Sequence, residues 1–481
     1  MPGPNKRKRR RRIALGIVAA LVVLLLVVAG GYYLWLTHLV AGANARVDPA
    51  VRAALSGSAS ASQASAVPAS PGAMDILLLG SDLRAGVPGG RSDTIMLLHV
   101  DSANNFISML SLPRDLRVEV PGHGLDKLNA AYSFGGAALA IRTVKQATGI
   151  NINHYIQVDF QAFQKLADSL GGVYVDVDRR YFNNDPSYEP INIQAGYQLL
   201  SGHDALEYVR YRHDLNADFG RMLRQQRFLQ ALKEQISAQG AGLLLKLPAL
   251  ASDLLSNTAT DLSAQQILSL ADFGSRLGSG NIRQVRLTGS SPTIGGVSYV
   301  VASSAAISQA VSHYLTPLTS GQASQSTSSS SPSPATGTVG HHTLSTWSAV
   351  AATVPFPVEA PDYLPAGYAY FDRAPLAGQT YTIKTGGGSQ PAVRIIYRDQ
   401  SMDQYLGVSE TSWVDAPLAS PGTQVQAGGI TYTVVGTEGK VDHVWWKQDG
   451  VLYWVSNTLS YLLPESELLK VAESFMPVAK A

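Results

Sequence analysis

Two stretches of this chain mix arginine with aspartate at the ends of apolar runs, although only 15% of its residues are charged. The first runs from Asp82 to Arg117 and holds Arg84, Arg91, Asp93 and Arg114. The second reads EYVRYRHDLNADFGRMLRQQRF, with five arginines between positions 210 and 227. Guanidinium forks match phosphate oxygens and carboxylates take a divalent cation, so the mixture suits a phosphate bound through a metal. A solvated, salt-bridged surface is the plainer reading of one such group. Two groups in one domain favour a site. Asp82 falls just past the apolar run Ile76 to Leu79, where open α/β sheets keep their ligands. The glycines of GGRSD let the chain return, so that Arg91 and Asp93 enter the next run near Asp82. Neighbouring carboxylates repel unless a cation lies between them, which makes Asp82 with Asp93 a candidate Mg²⁺ (or Mn²⁺) site; simple turn capping by each is the alternative.

In the second stretch, Arg210 and Arg212 would share one face if YVRYR is a strand. Arg221 and Gln225 lie one helical turn apart, away from an apolar stripe of Met222, Leu229, Leu232 and Ile236. An arginine in a first helical turn opposes the helix dipole, a local cost that a nearby anion would explain. Other chemistries lack their motifs. There is no G-x-S-x-G, H-E-x-x-H, Walker A or G-x-G-x-x-G sequence, and His99, His123, His154, His203 and His213 show no ligand spacing. With no cysteine, neither disulfides nor a thiolate metal site is available.

The elements that must position these residues read as an α/β alternation. Apolar runs at 76–79, 94–100 and 106–112 look like strands, as do 155–158, 173–177 and 282–287. Amphipathic stretches at 137–148, 160–170, 221–237 and 264–273 look like helices. Together they predict a layered α/β/α sandwich with a mixed central sheet over residues 74–316. Upstream, residues 13–36 carry no charge, long enough to cross a hydrocarbon core of about 30 Å. KRKRRRR precedes them, and Tyr32, Tyr33 and Trp35 lie near the far end. This pattern predicts one transmembrane helix, with residues 1–12 as a cytoplasmic basic tail and everything after position 36 outside the cell. Seven of the 37 Lys and Arg lie in that tail, leaving 30 basic against 35 acidic residues elsewhere, which argues against a nucleic-acid partner. Residues 37–73, rich in Ala and Ser, read as an extracellular stalk, and 317–340 as a Ser/Pro linker. Residues 341–481 follow as a smaller α+β domain, with Asp449-Gly450 as a hairpin turn and a helix after Pro464.

The motifs DILLLGSDLR, GRSDTIMLL, ISMLSLPRDLRVEVPG, DKLNAAYSFGG, VDFQAFQKLADSLGGVYVDV, LSGHDALEYVRYRHD and DFGRMLRQQRFLQAL, in this order, resemble the LytR-CpsA-Psr family. The resemblance covers Met74 to Glu234. It implies a membrane-anchored phosphotransferase that moves glycopolymers, such as teichoic acid or capsule, from a polyprenyl-diphosphate-linked donor to a peptidoglycan acceptor. By the same resemblance Asp82 and Asp93 hold Mg²⁺, and Arg91, Arg114, Arg210, Arg212 and Arg221 contact the diphosphate with Gln225. Arg84, Arg117 and Lys127 are weaker transfers. A non-catalytic surface receptor or regulator for lipid-linked diphosphates, and a polyprenyl-diphosphate hydrolase, are the competing functions. The C-terminal domain lies outside the resemblance, and an accessory role is expected for it.

Overall fold

The computed structural model describes residues 30–57, 72–81, 92–185, 190–212, 217–239, 242–278, 281–317, 337–338, 341–371, 379–399, 401–437 and 440–479. Its centre is a meander of β1 (Met74–Ser81), β2 (Ser92–Asp101) and β3 (Phe106–Leu112), antiparallel throughout. After β3 the chain makes a small hairpin of β4 (Arg117–Val120) and β5 (Gly124–Lys127). It then crosses over through a helical segment, α3 (Leu128–Thr148), to lay β6 (His154–Asp159) parallel to β1. Parallel pairing requires such a crossover, and this one makes the sheet mixed. The full order is β11 (Thr258–Thr260), β6, β1, β2, β3 and β12 (Ile282–Arg286), with β12 parallel to β3.

Period-two alternation assigns the two faces. Leu77, Leu79, Ile95, Leu97, Leu110 and Leu112 point to one side and form a core with α3 and with the helix Ser304–Leu315. The opposite face carries α6 (Ala217–Gln239). Its Gln225 Nε2 donates to Thr94 Oγ1 at 2.8 Å, and its Gln226 Nε2 donates to Ser111 Oγ at 3.0 Å. Beside α6 lie α4 (Phe160–Ser169), α5 (Gly202–Arg210) and two hairpins. One hairpin pairs β7 (Val173–Val177) with β10 (Gly196–Leu200), and the other pairs β8 (Tyr181–Asn183) with β9 (Ile191–Ile193).

One expectation changes. Residues 37–57, taken as part of the stalk, are structured. A helix described over 30–45, α1, buries Leu36, Val40 and Ala43 against Leu255 and Ala264. Helix α2 (Pro49–Ser56) is capped by Asp48 with Pro49 at its first turn, and its Val51 and Ala54 join the main core. Lys145 Nζ, buried, donates to the carbonyls of Leu55 and Gly57 at 2.7 and 2.5 Å, closing the end of α2. Alanine-rich composition resembles a flexible segment, but alanine is also the best helix former. The rest of the stalk, 58–71, and residues 1–29 of the expected tail and span lie outside the described residues. Among the described residues no helix is long and apolar enough to cross a membrane.

The C-terminal region, expected as a smaller α+β domain, is β-rich with helices packed on its sheet. Its main sheet has eight strands, of which seven run in the order 368–370, 388–399, 404–411, 451–456, 440–448, 430–437 and 423–427, with 379–385 also paired to 388–399. Asp449 and Gly450 take positive φ values of 48° and 76°, as the predicted hairpin turn demands. One sheet face packs on the helix at His341–Ala351 and on Glu465–Glu473, with Trp347, Trp446 and Leu468 in the core. The other face docks on the β7–β10 hairpin, where Tyr197 is buried with Ile383, Leu452 and Trp454. Of the linker expected at 317–340, only 317 and 337–338 are described, and the latter pair with Tyr363 and Leu364.

Candidate anion site

The site lies at the end of β1 and the start of β2. Their pairing shifts register between Gly80 and Ser81, a bulge at the last described residues before Asp82. Asp82, Arg84 and Arg91 lie outside the described residues. Asp93 is described, and it is the hub. Arg114, carried just beyond β3 by Pro113, donates through Nη1 to Asp93 Oδ1. Arg221 Nη1, from the first turns of α6, stands 3.8 Å from the same oxygen, with its side chain only 3% exposed.

Burial alone pushes the Asp93 carboxyl up. The guanidiniums of Arg114, Arg221 and Arg212 outweigh that and hold it below its ordinary range. Arg114 also faces Asp115 at 3.5 Å, and Asp115 receives Lys127 Nζ at 2.8 Å. Lys127 and Arg117, paired across β4 and β5, both lie over the ring of Tyr299, at 5.7 and 5.8 Å. Gln225 reaches Thr94, the neighbour of Asp93, so the predicted shared face of Arg221 and Gln225 is seen.

The strand expected at YVRYR is a correction. Arg210 ends α5, a helix begun by Ser201, whose hydroxyl accepts from the Asp204 amide, with Asp204 in the first turn. Ala205, Leu206, Tyr208 and Val209 are its buried apolar side chains, so helical burial won over the strand-like composition. Arg210 and Arg212 therefore do not share a strand face. Arg212 is among the charges that act on Asp93. Arg210 instead bonds Glu207 at 3.0 Å and lies 4.5 Å over the ring of Phe160, its side chain a third exposed.

Sequence reasoning missed two residues of α6. Arg224, fully buried, donates to the carbonyl of Tyr211 and so braces the segment leading to Arg212. Arg227 pairs with Asp442 of the C-terminal lobe and stands 3.7 Å from Asp176. The spacing of Arg221, Arg224 and Arg227 was the available signal, since residues three apart share a helix face. Asp442 also lies with Glu234 and His443, the one group of three potential metal ligands among the described residues. There Arg227 already supplies the positive charge.

Chemically, a ring of guanidiniums around one ionised carboxylate can take an anion with several oxygens. Mg²⁺ is usually held by one or two carboxylates together with phosphate oxygens, and its ligands must be deprotonated. Asp93, kept ionised and with its side chain 23% exposed, fits that requirement.

Comparison with known proteins shows which family the chain resembles. The profile of the LytR_cpsA_psr family matches residues 43–314. A protein of Halalkalibacterium halodurans named polyisoprenyl-teichoic acid–peptidoglycan teichoic acid transferase TagU is 36% identical over 228 residues, 47% of this chain and 73% of that protein. A protein of the same name from Oceanobacillus iheyensis is 35% identical over 242 residues, 48% of this chain and 72% of its own length. Among solved structures, B. subtilis TagV is 30% identical, with a TM-score of 0.45 over 50% of this chain and 97% of that one.

Proposed function

The chain belongs to the LytR_cpsA_psr family, and on that premise we propose that it is a glycopolymer phosphotransferase, anchored in the membrane and facing outward. Its donor is a glycopolymer, such as teichoic acid, on a polyprenyl diphosphate, and its acceptor is peptidoglycan. Two relatives named as teichoic acid transferases support transfer over binding alone. The basic flank before an uncharged run at 13–36 supports the anchor. The observation that carries the reading is Asp93 held among Arg114, Arg221 and Arg212.

The arginines bind the diphosphate oxygens, and Asp93 fixes the two it touches so that their donors are aimed before substrate arrives. Asp93, together with Asp82, would hold Mg²⁺ (or Mn²⁺), which neutralises charge on those oxygens when bound. By the family resemblance Arg91, Arg210 and Gln225 would also contact the donor, with Arg84, Arg117 and Lys127 as weaker candidates. In the reaction an acceptor hydroxyl forms a bond to the sugar-linked phosphorus. The bond from that phosphorus to the bridging oxygen breaks, and polyprenyl phosphate leaves. Positioning and electrostatics do most of this work, as in other phosphoryl transfers.

The test is a reconstituted reaction with full-length protein, a lipid-diphosphate glycan and peptidoglycan fragments. Expected are acceptor-linked glycan and free polyprenyl phosphate in equal amounts, and loss of both on chelation. Release of glycan phosphate without acceptor would assign a hydrolase instead. Tight donor binding without turnover would assign a receptor.

A further inference from the structure

Between the C-terminal lobe and the anion site runs an alternating stack of arginines and aromatic rings. Arg398 lies 5.7 Å over Phe371 and 5.8 Å over Tyr405, all three in the C-terminal lobe. Arg179, from the loop between β7 and β8, sits between two rings at 5.2 Å each. One is Tyr405, and the other is Tyr181 of its own lobe. Arg224 of α6 continues the series, 5.0 Å over Tyr181 and 5.4 Å over Tyr211. Its guanidinium also donates to the Tyr211 carbonyl, and the next residue, Arg212, acts on Asp93.

Asp403 clamps the far end. Its Oδ1 accepts from Arg398 Nε at 2.9 Å, Arg398 Nη2 at 2.7 Å and Tyr405 hydroxyl at 2.7 Å, while its Oδ2 is 3.9 Å from Arg179. Asp403 adopts a positive φ of 51°, a conformation that aspartate tolerates better than most residues and that holds its carboxylate in place. The middle of the stack is desolvated, with Tyr181 and Arg224 both 0% exposed. Cation–π attraction is strongest there, and a flat guanidinium between two rings has few other arrangements open to it.

We propose that Tyr405, held by Asp403, is a positioning residue for the anion site, acting through Arg179, Tyr181 and Arg224 on the backbone at 211–212. The inference rests on the function proposed above. It assigns the C-terminal lobe a part in donor binding, through positioning rather than through contact. The role belongs to the ring rather than to side-chain bulk, which separates it from simple packing.

The test uses the full chain with inorganic diphosphate as calorimetric probe, hydrogen exchange at residues 211–212 in its absence, and turnover of the lipid-diphosphate donor. Tyr405→Leu should weaken diphosphate binding roughly two- to thirty-fold, the range that loss of one such contact corresponds to. It should also speed exchange at 211–212 and raise KM for the donor more than it lowers kcat. Tyr405→Phe, which keeps the ring but loses the hydroxyl bond to Asp403, should be affected clearly less than Leu in both affinity and exchange. If Tyr405→Leu does not fold, Arg179→Lys replaces it, since an ammonium keeps the charge and loses the flat group between the rings. Wild-type affinity and exchange in the Leu or Lys variant overturn the inference, as does a Phe variant impaired as much as Leu. Failure of the wild-type protein to bind diphosphate overturns the functional reading itself, and the inference with it.

Discussion

Replacing Asp93 by asparagine keeps an oxygen acceptor for Arg114 and removes only the negative charge. The Arg114 contact, a hydrogen bond to a charged group, contributes about 1.5–3 kcal/mol. Arg221, at 3.8 Å, feels a gross attraction of about 4 kcal/mol at an effective dielectric near 20. Desolvation and the exposure of Asp93 cancel most of that second term, leaving roughly 1 kcal/mol. Asparagine retains a weak version of the first contact, so the net loss is about 2–3 kcal/mol. For a lobe of this size that corresponds to a fall in Tm of roughly 4–12 °C. Calorimetric unfolding of Asp93→Asn beside the wild type measures it. Added inorganic diphosphate should recover part of the loss, because an anion then supplies the missing charge. A Tm equal to or above that of the wild type would refute the hub reasoning. Sequence alone leads to the opposite expectation, in which Asp93 and Asp82 repel and either can be removed cheaply. The pairing with Arg114 and Arg221 is what reverses it.

Gly80→Ala should destabilise by about 1–3 kcal/mol, because its Cβ would stand 2.9 Å from Thr94 Cβ. Activity should fall further than stability as the Gln225 contact to Thr94 loosens, and unchanged melting would show that β2 yields freely. Asp176 is buried, which pushes its carboxyl up, but Arg394 and Arg227 hold it below its ordinary 3.8. A depressed folded value means that this stabilisation is present above 3.8 and lost as pH falls through the folded value. Fluorescence of Trp454, whose Nε1 is 3.3 Å from Asp176, should therefore stay constant down to about pH 4 and change below it. A transition complete above that point would exclude Asp176 as its cause. Arg210→Ala should weaken donor binding while costing less stability than Arg221→Ala, since the Arg210 side chain is a third exposed although its partner Glu207 is buried. Arg221→Ala should lose both, and equal unfolding by the two variants would contradict the difference in their burial.

The sheet and its flanking helices were legible because the short apolar runs of β1 to β3 and the 3.6-residue stripe in α6 are local signals. Aspartate and arginine at the strand ends likewise led to Asp93, Arg114 and Arg221. Helix α5 was misread because Tyr208, Val209 and Tyr211 favour strands in isolation, while the Ser201 cap that decides the matter lies a turn and more upstream. The order in residues 37–57 was hidden by their alanine content. No local pattern announced the docking of the C-terminal lobe. It depends on single polar residues such as Asp176 and Arg394, which lie 218 positions apart.

That separation has a kinetic side. Contacts between distant positions form late, after the entropy of closing a long loop has been met. Until residues 383–456 are available, the β7–β10 hairpin presents Tyr174, Tyr197 and the carboxylate of Asp176 to solvent instead of to Trp454, Leu418 and Arg394. A nascent chain emerging amino-terminus first therefore completes its anion-binding lobe while an aromatic patch on that lobe is still bare. The interval before the last sheet arrives is when the chain is most open to proteolysis and to association with its own copies.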